Sequence, residues 1–235
     1  MDDRTEEVRT RETATCRRNQ GEKVRSTVTV ITAARSHDLT TLTRAKRELG
    51  VSAEDHSRDA DIREDITMAS RMCAEYCGRP FGKERVQETI DVSGDGFLVS
   101  AGRLIVLARK PIVEVHTLTE VETDLVLDTD YYIYSEDGMI SRGTRGLPGR
   151  WLRGQLTVEY TAGYELLDEV PWSYERACLI MLRSLWFSRG RDPAIRAVDI
   201  PDVGSRTYAS GSSDSSGMGI PLEAQQLLQR HRRML

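Results

Sequence analysis

The spacing of apolar residues changes along this chain and separates helical from strand-forming segments. In the first third, apolar positions recur at intervals of three and four, as they do on one face of a helix. Asp38 precedes the first such segment as an N-cap, and Gly50 follows it as a helix stop. Gly78 and Pro80 end the second segment. The pattern therefore predicts two helices, over residues 39–49 and 58–77.

Between residues 83 and 164 the period changes to two, which is typical of strands with one buried face. The strand-like runs include 86–92, 112–118 and 156–160. Turn-forming sequences such as Lys110-Pro111 separate them. This part of the chain predicts a small antiparallel sheet of about five or six strands.

The segment 171–188 is predicted to be a third helix, and it is strongly apolar. Pro171 suits the first turn of a helix, where an N–H group would have no intrahelical partner. Apolar residues cover more than half of the helix circumference, so the helix is expected to lie in the core or to face a neighbouring subunit. The candidate residues for a subunit interface are Ile180, Leu182, Trp186 and Phe187.

Both ends of the chain are polar. Residues 1–27 carry mixed charges and few large apolar side chains, so they are expected to form a flexible charged arm. Beyond the core, a stretch rich in glycine, serine and aspartate is predicted to be a tether, with residues 204–219 as its loop. A short basic helix is predicted to follow from Pro221.

These elements predict an α+β fold. It is expected to be a helical bundle of three main helices plus a C-terminal helix, with an inserted small antiparallel β-sheet. The predicted organisation has three parts: the arm at 1–27, a core at 28–190 that contains the sheet at 83–164, and the tether with its C-terminal helix at 191–235.

The charge and the hydropathy of the chain argue against several classes of protein. The 33 lysines and arginines are outnumbered by 37 aspartates and glutamates, which gives a net charge of −4 and a pI of about 5.7. The positive field typical of nucleic-acid binders is therefore absent. No apolar run approaches the roughly 20 residues that span a bilayer, and the N-terminus lacks the apolar region of a secretory signal. We expect the chain to be made in a cytoplasmic compartment and to contact no membrane.

No catalytic residues, metal site or cofactor are predicted. The chain has no GxSxG, P-loop, HExxH or GxGxxG sequence, and its four histidines are scattered. Cys73 and Cys77 share one helix face, but no further histidine or cysteine cluster completes a zinc site. They are interpreted as small buried apolar residues.

Several local sequences follow one another in a fairly specific order between residues 28 and 234. They are Thr32-Ala33-Ala34, Tyr76-Cys77-Gly78-Arg79-Pro80-Phe81, a Leu-x-x-Pro type step within 107–115, Asp130-Tyr131-Tyr132, the strand at 156–164, Val170-Pro171 and Ile220-Pro221-Leu222. In this order they resemble the head–tail connector (adaptor) family of long-tailed bacteriophages and gene transfer agents. The charged arm departs from the family's pattern.

The resemblance implies a structural virion protein with no enzymatic activity, which acts at the head–tail joint after assembly in the host cytoplasm. Members of the family form a ring, usually a 12-mer, beneath the portal protein. A stopper or tail-completion protein binds the opposite face, and DNA passes through the channel without sequence-specific binding.

The resemblance also implies that the terminal segment, 220–235, docks on the portal. The leucines would be apolar anchors and the arginines would pair with portal carboxylates. The candidate docking residues are Leu222, Leu227, Leu228, Arg230, Arg232 and Arg233.

Two other functions are compatible with the sequence. The tryptophans and tyrosines of the predicted sheet suit a ligand- or glycan-binding module of a tail accessory protein. The acidic helix face that includes Asp61 and Asp65 suits a metal-dependent enzyme.

Overall fold

The computed structural model describes residues 10–16, 24–92, 98–99, 103–144, 147–166, 170–189, 197–200, 204–207 and 219–232. They belong to two units, each assembled from distant parts of the sequence. The first, here called the β unit, holds the described residues up to Ser36 together with Arg79–Glu165. The second, the helical unit, holds His37–Gly78 and the described part of Leu166–Arg233.

Strands and helices follow one another in mixed order. The strands are β1 (Thr10–Cys16), β2 (Val24–Thr32), β3 (Glu84–Asp91), β4 (Leu98–Val99), β5 (Leu104–Val106), β6 (Ile112–Glu120), β7 (Thr123–Asp124), β8 (Tyr131–Tyr134), β9 (Met139–Thr144), β10 (Leu147–Pro148), β11 (Gln155–Ala162), β12 (Ala197–Ile200) and β13 (Gly204–Thr207). The helices are α1 (Leu42–Leu49), α2 (Asp59–Cys77), α3 (Trp172–Ser188) and α4 (Leu222–Leu228), which is followed by a 3-10 turn at Gln229–His231.

Two antiparallel sheets form the β unit. The larger sheet has six strands in the order β1-β2-β3-β11-β6-β7. The smaller has five, in the order β10-β9-β5-β4 with β8 paired to β9. One buried apolar cluster takes side chains from both sheets, among them Ile90, Leu118, Ile140 and Val158. The alternation in the sequence therefore reflects strands with one face directed into this shared core.

A buried polar network lies inside the β unit. Glu88 points inward from β3, and its carboxylate accepts hydrogen bonds from the Tyr160 hydroxyl at 2.7 Å and from the Ala108 N–H at 2.8 Å. Burial raises the pKa of Tyr160 well above its ordinary value, and the neighbouring Glu88 raises it further. The phenol therefore keeps its proton and donates a hydrogen bond to the carboxylate.

The helical unit is closed by the inward faces of its four helices. Ile62 and Cys73 of α2, Tyr174 and Leu182 of α3, and Leu228 of α4 are fully buried. Leu39 is buried ahead of α1, where its N–H donates to Ser70 Oγ at 3.0 Å. Both predicted stops are confirmed, because Gly50 and Gly78 end α1 and α2 in the left-handed region, at φ 71° and 68°.

The predicted N-cap of the first helix is wrong. Thr41 caps α1 instead, with its side chain accepting from Arg44 N–H, and the helix begins three residues later than predicted. Asp38 accepts a hydrogen bond from Thr67 Oγ1 at 3.1 Å and so fixes the approach to α1 against α2. Aspartate and threonine are both favoured N-cap residues, so the sequence alone does not choose between Asp38 and Thr41. The contact of Asp38 with α2 leaves Thr41 as the cap.

The α+β class is confirmed, with four helices and antiparallel sheets among the described residues. Strands are more numerous than the prediction of a helical bundle with a small inserted sheet allowed. Two of the extra strands fall in segments predicted to be flexible. β1 and the start of β2 lie within the arm at 1–27 and pair antiparallel over Thr10–Cys16 and Val24–Val30. β13 lies within the predicted tether loop and pairs with β12.

The physical reason for these differences is strand pairing, which polar sequences support when they are rich in threonine and valine. The backbone of β1 bonds to β2, which in turn bonds to β3 of the larger sheet. Residues 1–9 and 17–23 of the arm, and 208–218 of the tether, lie outside the described residues.

Candidate functional site

The C-terminal segment is built into the helical unit through one face of α4. Ile220, Ala224 and Leu228 are buried at spacings of four, and Gln225 Nε2 donates to the Ile220 carbonyl at 2.9 Å. The Cys77 thiol lies 3.9 Å from the Leu228 carbonyl oxygen, which ties α4 to α2. The terminal helix therefore completes the core of the unit while it presents its other face to solvent.

The structure places the six predicted docking residues in different environments. Leu228 is fully buried within the chain, so it is a core residue and has no surface to offer a partner. Leu222 is 61% exposed and Arg232 is exposed, with its guanidinium 5.1 Å from the ring centre of Tyr76. Leu227 and Arg230 face a cleft, and Arg233 lies outside the described residues.

That cleft lies between α3 and α4 and has a volume of about 690 Å³. Trp172, Arg176 and Ile180 line it from α3; Leu227 and Arg230 line it from the terminal segment. Trp172 is 70% exposed, although it is the first residue of a helix whose inner face is strongly apolar. The cleft thus combines an exposed aromatic side chain with basic residues, a composition that is enriched at protein interfaces.

His231 holds the segment after α4 against α3. Its Nε2 lies 3.1 Å from Ser173 Oγ, and its ring meets that of Tyr174 edge-on with centroids 4.5 Å apart. With the Arg232–Tyr76 contact, this fixes the segment after α4 to both α3 and α2. The cleft therefore has two ordered walls.

The four predicted interface residues of α3 also separate. Leu182 is fully buried and belongs to the core of the helical unit. Ile180 is half-buried and lines the cleft, whereas Phe187 is 63% exposed near the other end of α3. Trp186 is half-buried beside it. Only Trp186 and Phe187 are therefore neighbours on accessible surface.

Two guanidinium groups lie over the ring of Trp186. Arg58 and Arg189 each lie 5.4 Å from the indole ring, within the range of a cation–π contact. Arg189 also donates to Asp65 Oδ1 at 2.7 Å, and this hydrogen bond raises the pKa of the arginine. The charge network around Trp186 holds the indole in place at the surface.

The acidic face of α2 is occupied by internal cations. Asp61 and Asp65 both pair with Arg189, at 3.2 and 2.7 Å. Asp59 pairs with the buried ammonium of Lys46 at 2.5 Å and with His56 at 2.9 Å. The hydrogen bond from Lys46 lowers the pKa of Asp59 most, and the hydrogen bond from His56 lowers it further. Within the described ranges, no three His, Cys, Asp or Glu side chains are placed to hold a metal ion.

The three cysteines of the helical unit are buried thiols. Cys73, Cys77 and Cys178 are fully buried, and none of the three forms a disulfide. Burial raises the pKa of Cys178 to about 12 and raises that of Cys73 as well. Both thiols therefore stay protonated and unreactive at neutral pH.

A second accessible apolar surface, which the sequence analysis did not identify, lies in the β unit. The loop 121–130 follows β6 and exposes Val121, Val126 and Leu127 beside Glu122 and Asp128. Its ten residues contain no lysine or arginine. The signal that marks it in the sequence is the mixing of apolar and acidic residues in a segment without basic residues.

None of the described helices is long and apolar enough to cross a membrane.

No family model and no curated protein matches the sequence. Solved structures do match the fold. A chain from the neck of an empty gene transfer agent particle, computed with C6 symmetry, is 16% identical and aligns with a TM-score of 0.54, covering 88% of this chain and 97% of its own length. A chain from the virion of a native gene transfer agent particle is 14% identical with a TM-score of 0.52 and the same coverage. The two-unit α+β fold is therefore shared with chains of gene transfer agent particles.

Proposed function

We propose that this chain is a structural protein of the virion neck, a head–tail connector of a tailed phage or gene transfer agent. The observation that carries the proposal is the similarity of fold to a neck chain, which extends over 88% of this chain and 97% of that one. Similarity over nearly the whole of both chains favours a shared architectural role over a shared small module. The order of local sequence motifs points to the same family.

In this role, copies of the chain form a ring, expected to be a 12-mer, between the portal and a stopper or tail-completion protein. DNA passes through the ring without sequence-specific contact. The net charge of −4 suits such a channel, because a strongly basic wall would bind phosphates and slow the passage of DNA. We assign the half-buried Trp186 and the exposed Phe187 to a contact between subunits.

Docking on the portal is assigned to the exposed face of the C-terminal segment. Leu222 offers an apolar anchor at the start of α4, and Arg232 and Arg233 offer charge for carboxylates of the portal. Leu228 has no part in this contact, since it is buried. Leu227 and Arg230 face the cleft and are left out of the proposed contact.

The experiment that tests this function is electron microscopy of particles made by a host in which a stop codon replaces an early codon of this gene. We expect DNA-filled or leaking heads without tails, beside free tails. Expression of the intact chain from a plasmid should restore joined particles. Tailed particles in the absence of the chain would refute the proposed function.

Point variants separate docking from folding. Deletion of 221–235 would also remove Ala224 and Leu228 from the core of the helical unit, so its failure would be ambiguous. The variant Leu222→Asp changes an exposed side chain instead, and we expect it to fold but to leave heads unjoined. Gln229→Asp, an exposed change on the same segment, serves as the matched control and should support joining.

A further inference from the structure

The loop 121–130, here called the acidic loop, combines exposed apolar and acidic side chains. Val126 is 59% exposed, and Val121 and Leu127 are also exposed. Glu122, Asp124 and Asp128 are exposed among them. An apolar surface that is interspersed with exposed carboxylates favours a partner surface that is apolar and basic.

The backbone of the acidic loop holds unusual conformations. Val121, Glu122 and Asp128 adopt positive φ angles of 45°, 66° and 60°. A β-branched residue such as valine is rarely found there, because its side chain clashes with the backbone. Strain of this kind concentrates at binding sites, where the surrounding structure maintains it.

Hydrogen bonds fix the acidic loop in this form. Thr119 Oγ1 donates to Asp124 Oδ1 at 2.7 Å, and the Val126 N–H donates to Asp130 Oδ2 at 3.0 Å. Arg142 of β9 lies 3.0 Å from Glu120 Oε2 and so braces the end of β6 where the loop begins. A preordered loop loses little conformational entropy when it binds.

The cleft between α3 and α4 has the complementary chemistry. Trp172, Ile180 and Leu227 are apolar, while Arg176 and Arg230 supply positive charge against the single carboxylate of Glu223. Arg176 forms an ion pair with Glu48 at 3.3 Å, but its side chain is still 40% exposed. A cleft of about 690 Å³ is large enough to take several side chains of a loop.

We propose that the acidic loop of one copy binds in the α3–α4 cleft of the next copy. The contact rests on the proposed ring and adds a second subunit contact to the one assigned to Trp186 and Phe187. Val126 and Leu127 pack against Trp172 and Leu227, and the carboxylates of the loop face Arg176 and Arg230. Two different surfaces are used, so the contact is heterologous and closes into a ring when the rotation between copies allows.

Electrostatics favour this pairing over a symmetric one. Two acidic loops in contact would bring Glu122, Asp124 and Asp128 against their own copies, and two clefts would bring Arg176 and Arg230 against theirs. Like charges across an interface cost affinity, whereas loop against cleft pairs opposite charges.

Disulfide trapping tests the contact directly. The variant carries Val126→Cys in the loop and Gln226→Cys in the cleft wall. Cys16→Ser removes one natural cysteine, and the three natural cysteines that remain are buried. Oxidation of assembled particles is expected to give a ladder of covalent multimers in denaturing gels. Chains with only one of the two new cysteines should give no ladder, and an equal mixture of them should stop at dimers.

The matched control places the loop cysteine elsewhere in the β unit, as Tyr134→Cys with Gln226→Cys, since Tyr134 is also exposed. A ladder no stronger than that of this control would overturn the proposal. An internal disulfide without multimers would overturn it too, because the loop would then reach the cleft of its own chain.

Charge reversal gives an independent readout. Glu122→Lys or Arg230→Glu alone should weaken self-association by roughly tenfold, and the two together should restore most of it. Glu136→Lys makes the same change on an exposed turn outside the loop and should have no effect. Equal losses in both single variants and the double variant would contradict the pairing.

The outcomes distinguish this contact from the neck role. Particles that join tails normally but form no disulfide ladder would refute the contact alone. A ladder in purified protein, together with normal tailed particles in a host that lacks the gene, would refute the neck role and leave the contact standing.

Discussion

The β unit and the helical unit differ in where they leave apolar side chains exposed. In the β unit, three such side chains cluster in the connection after β6, at Val121, Val126 and Leu127, while others lie singly on strands. In the helical unit most of them lie at helix ends, with Trp172 and Phe187 at the two ends of α3 and Leu222 at the start of α4. We therefore expect a loop in the one unit, and helix ends in the other, to supply the surfaces for assembly.

The two units also stabilise a buried charged side chain by different contacts. The β unit buries the Glu88 carboxylate against a tyrosine hydroxyl and a backbone N–H. The helical unit buries the Lys46 ammonium against Asp59 and the carbonyls of Ala53 and Asp55. A neutral donor stabilises one site and an ion pair the other, so acid should affect the two units unequally.

The largest expected effect contrasts a core residue with a surface residue on the same helix. Leu182→Asp puts a carboxylate into the fully buried face of α3 and should cost at least about 4 kcal/mol, which prevents folding of the helical unit. Trp186→Asp should leave the fold intact but block ring assembly, since Trp186 is half-buried at the surface. Circular dichroism and native mass spectrometry would measure folding and assembly.

The contrast fails if Trp186→Asp unfolds the chain as completely as Leu182→Asp. Trp186 would then belong to the core of the monomer and not to a subunit contact.

The next effect concerns the core of the β unit. Tyr160→Ala removes a fully buried ring and the hydroxyl that donates to Glu88, so we expect a loss of roughly 3–5 kcal/mol in the free energy of unfolding. Tyr134→Ala, which truncates an exposed tyrosine, should cost less than about 0.5 kcal/mol. Urea titration of both variants measures the difference, and similar losses would contradict the assignment of Tyr160 to the core.

A smaller loss is expected from Lys46→Met in the helical unit. The methionine fills the space of the aliphatic chain but leaves the carbonyls of Ala53 and Asp55 without their buried donor, which should cost about 2 kcal/mol. Arg47→Met is the matched control, because Arg47 is exposed on the next position of α1. Unchanged stability of the Lys46 variant would show that the buried ammonium contributes nothing net.

The same variant predicts a pH dependence. The hydrogen bond from Lys46, and then that from His56, lower the pKa of Asp59 in the folded chain. A lowered folded pKa contributes stability above the ordinary aspartate value of about 3.9, and that stability is lost as the pH falls towards the folded pKa. The stability difference between the natural chain and Lys46→Met should therefore shrink below about pH 4. A difference that stays constant from pH 7 to pH 3 would contradict the ion pair.

The smallest effect is kinetic. Because burial raises the pKa values of Cys73 and Cys178, a thiol reagent at pH 8 should label neither residue in the folded chain. Chains unfolded in urea should label fully. Mass spectrometry of labelled peptides checks this, and rapid labelling of Cys178 under native conditions would show that the helical core opens easily.

The cores of both units were predictable because their patterns have a physical period. Alternation located Ile90 and Val158 in strands, and three-four spacing located Ile62 and Cys73 in a helix. The glycine stops at Gly50 and Gly78 were predictable because only glycine adopts the left-handed cap at little cost. These signals are local, so tertiary contacts did not change them.

The surfaces were only partly predictable. Leu182 and Phe187 belong to the same apolar helix, and only packing shows that the first is buried and the second exposed. Leu228 looked like a docking anchor, but α4 turns it into the core. The strand β1 was missed because its pairing partner, β2, supplies the stability that its own polar sequence lacks.

The proposed function places this chain at the head–tail joint. The most direct measurement is electron microscopy of intact particles in which the chain carries an N-terminal epitope tag bound by gold-labelled antibody. From the proposed function we expect gold at the neck of every tailed particle and on no free tail. Gold on tail fibres or at the tail tip, with none at the neck, would contradict it.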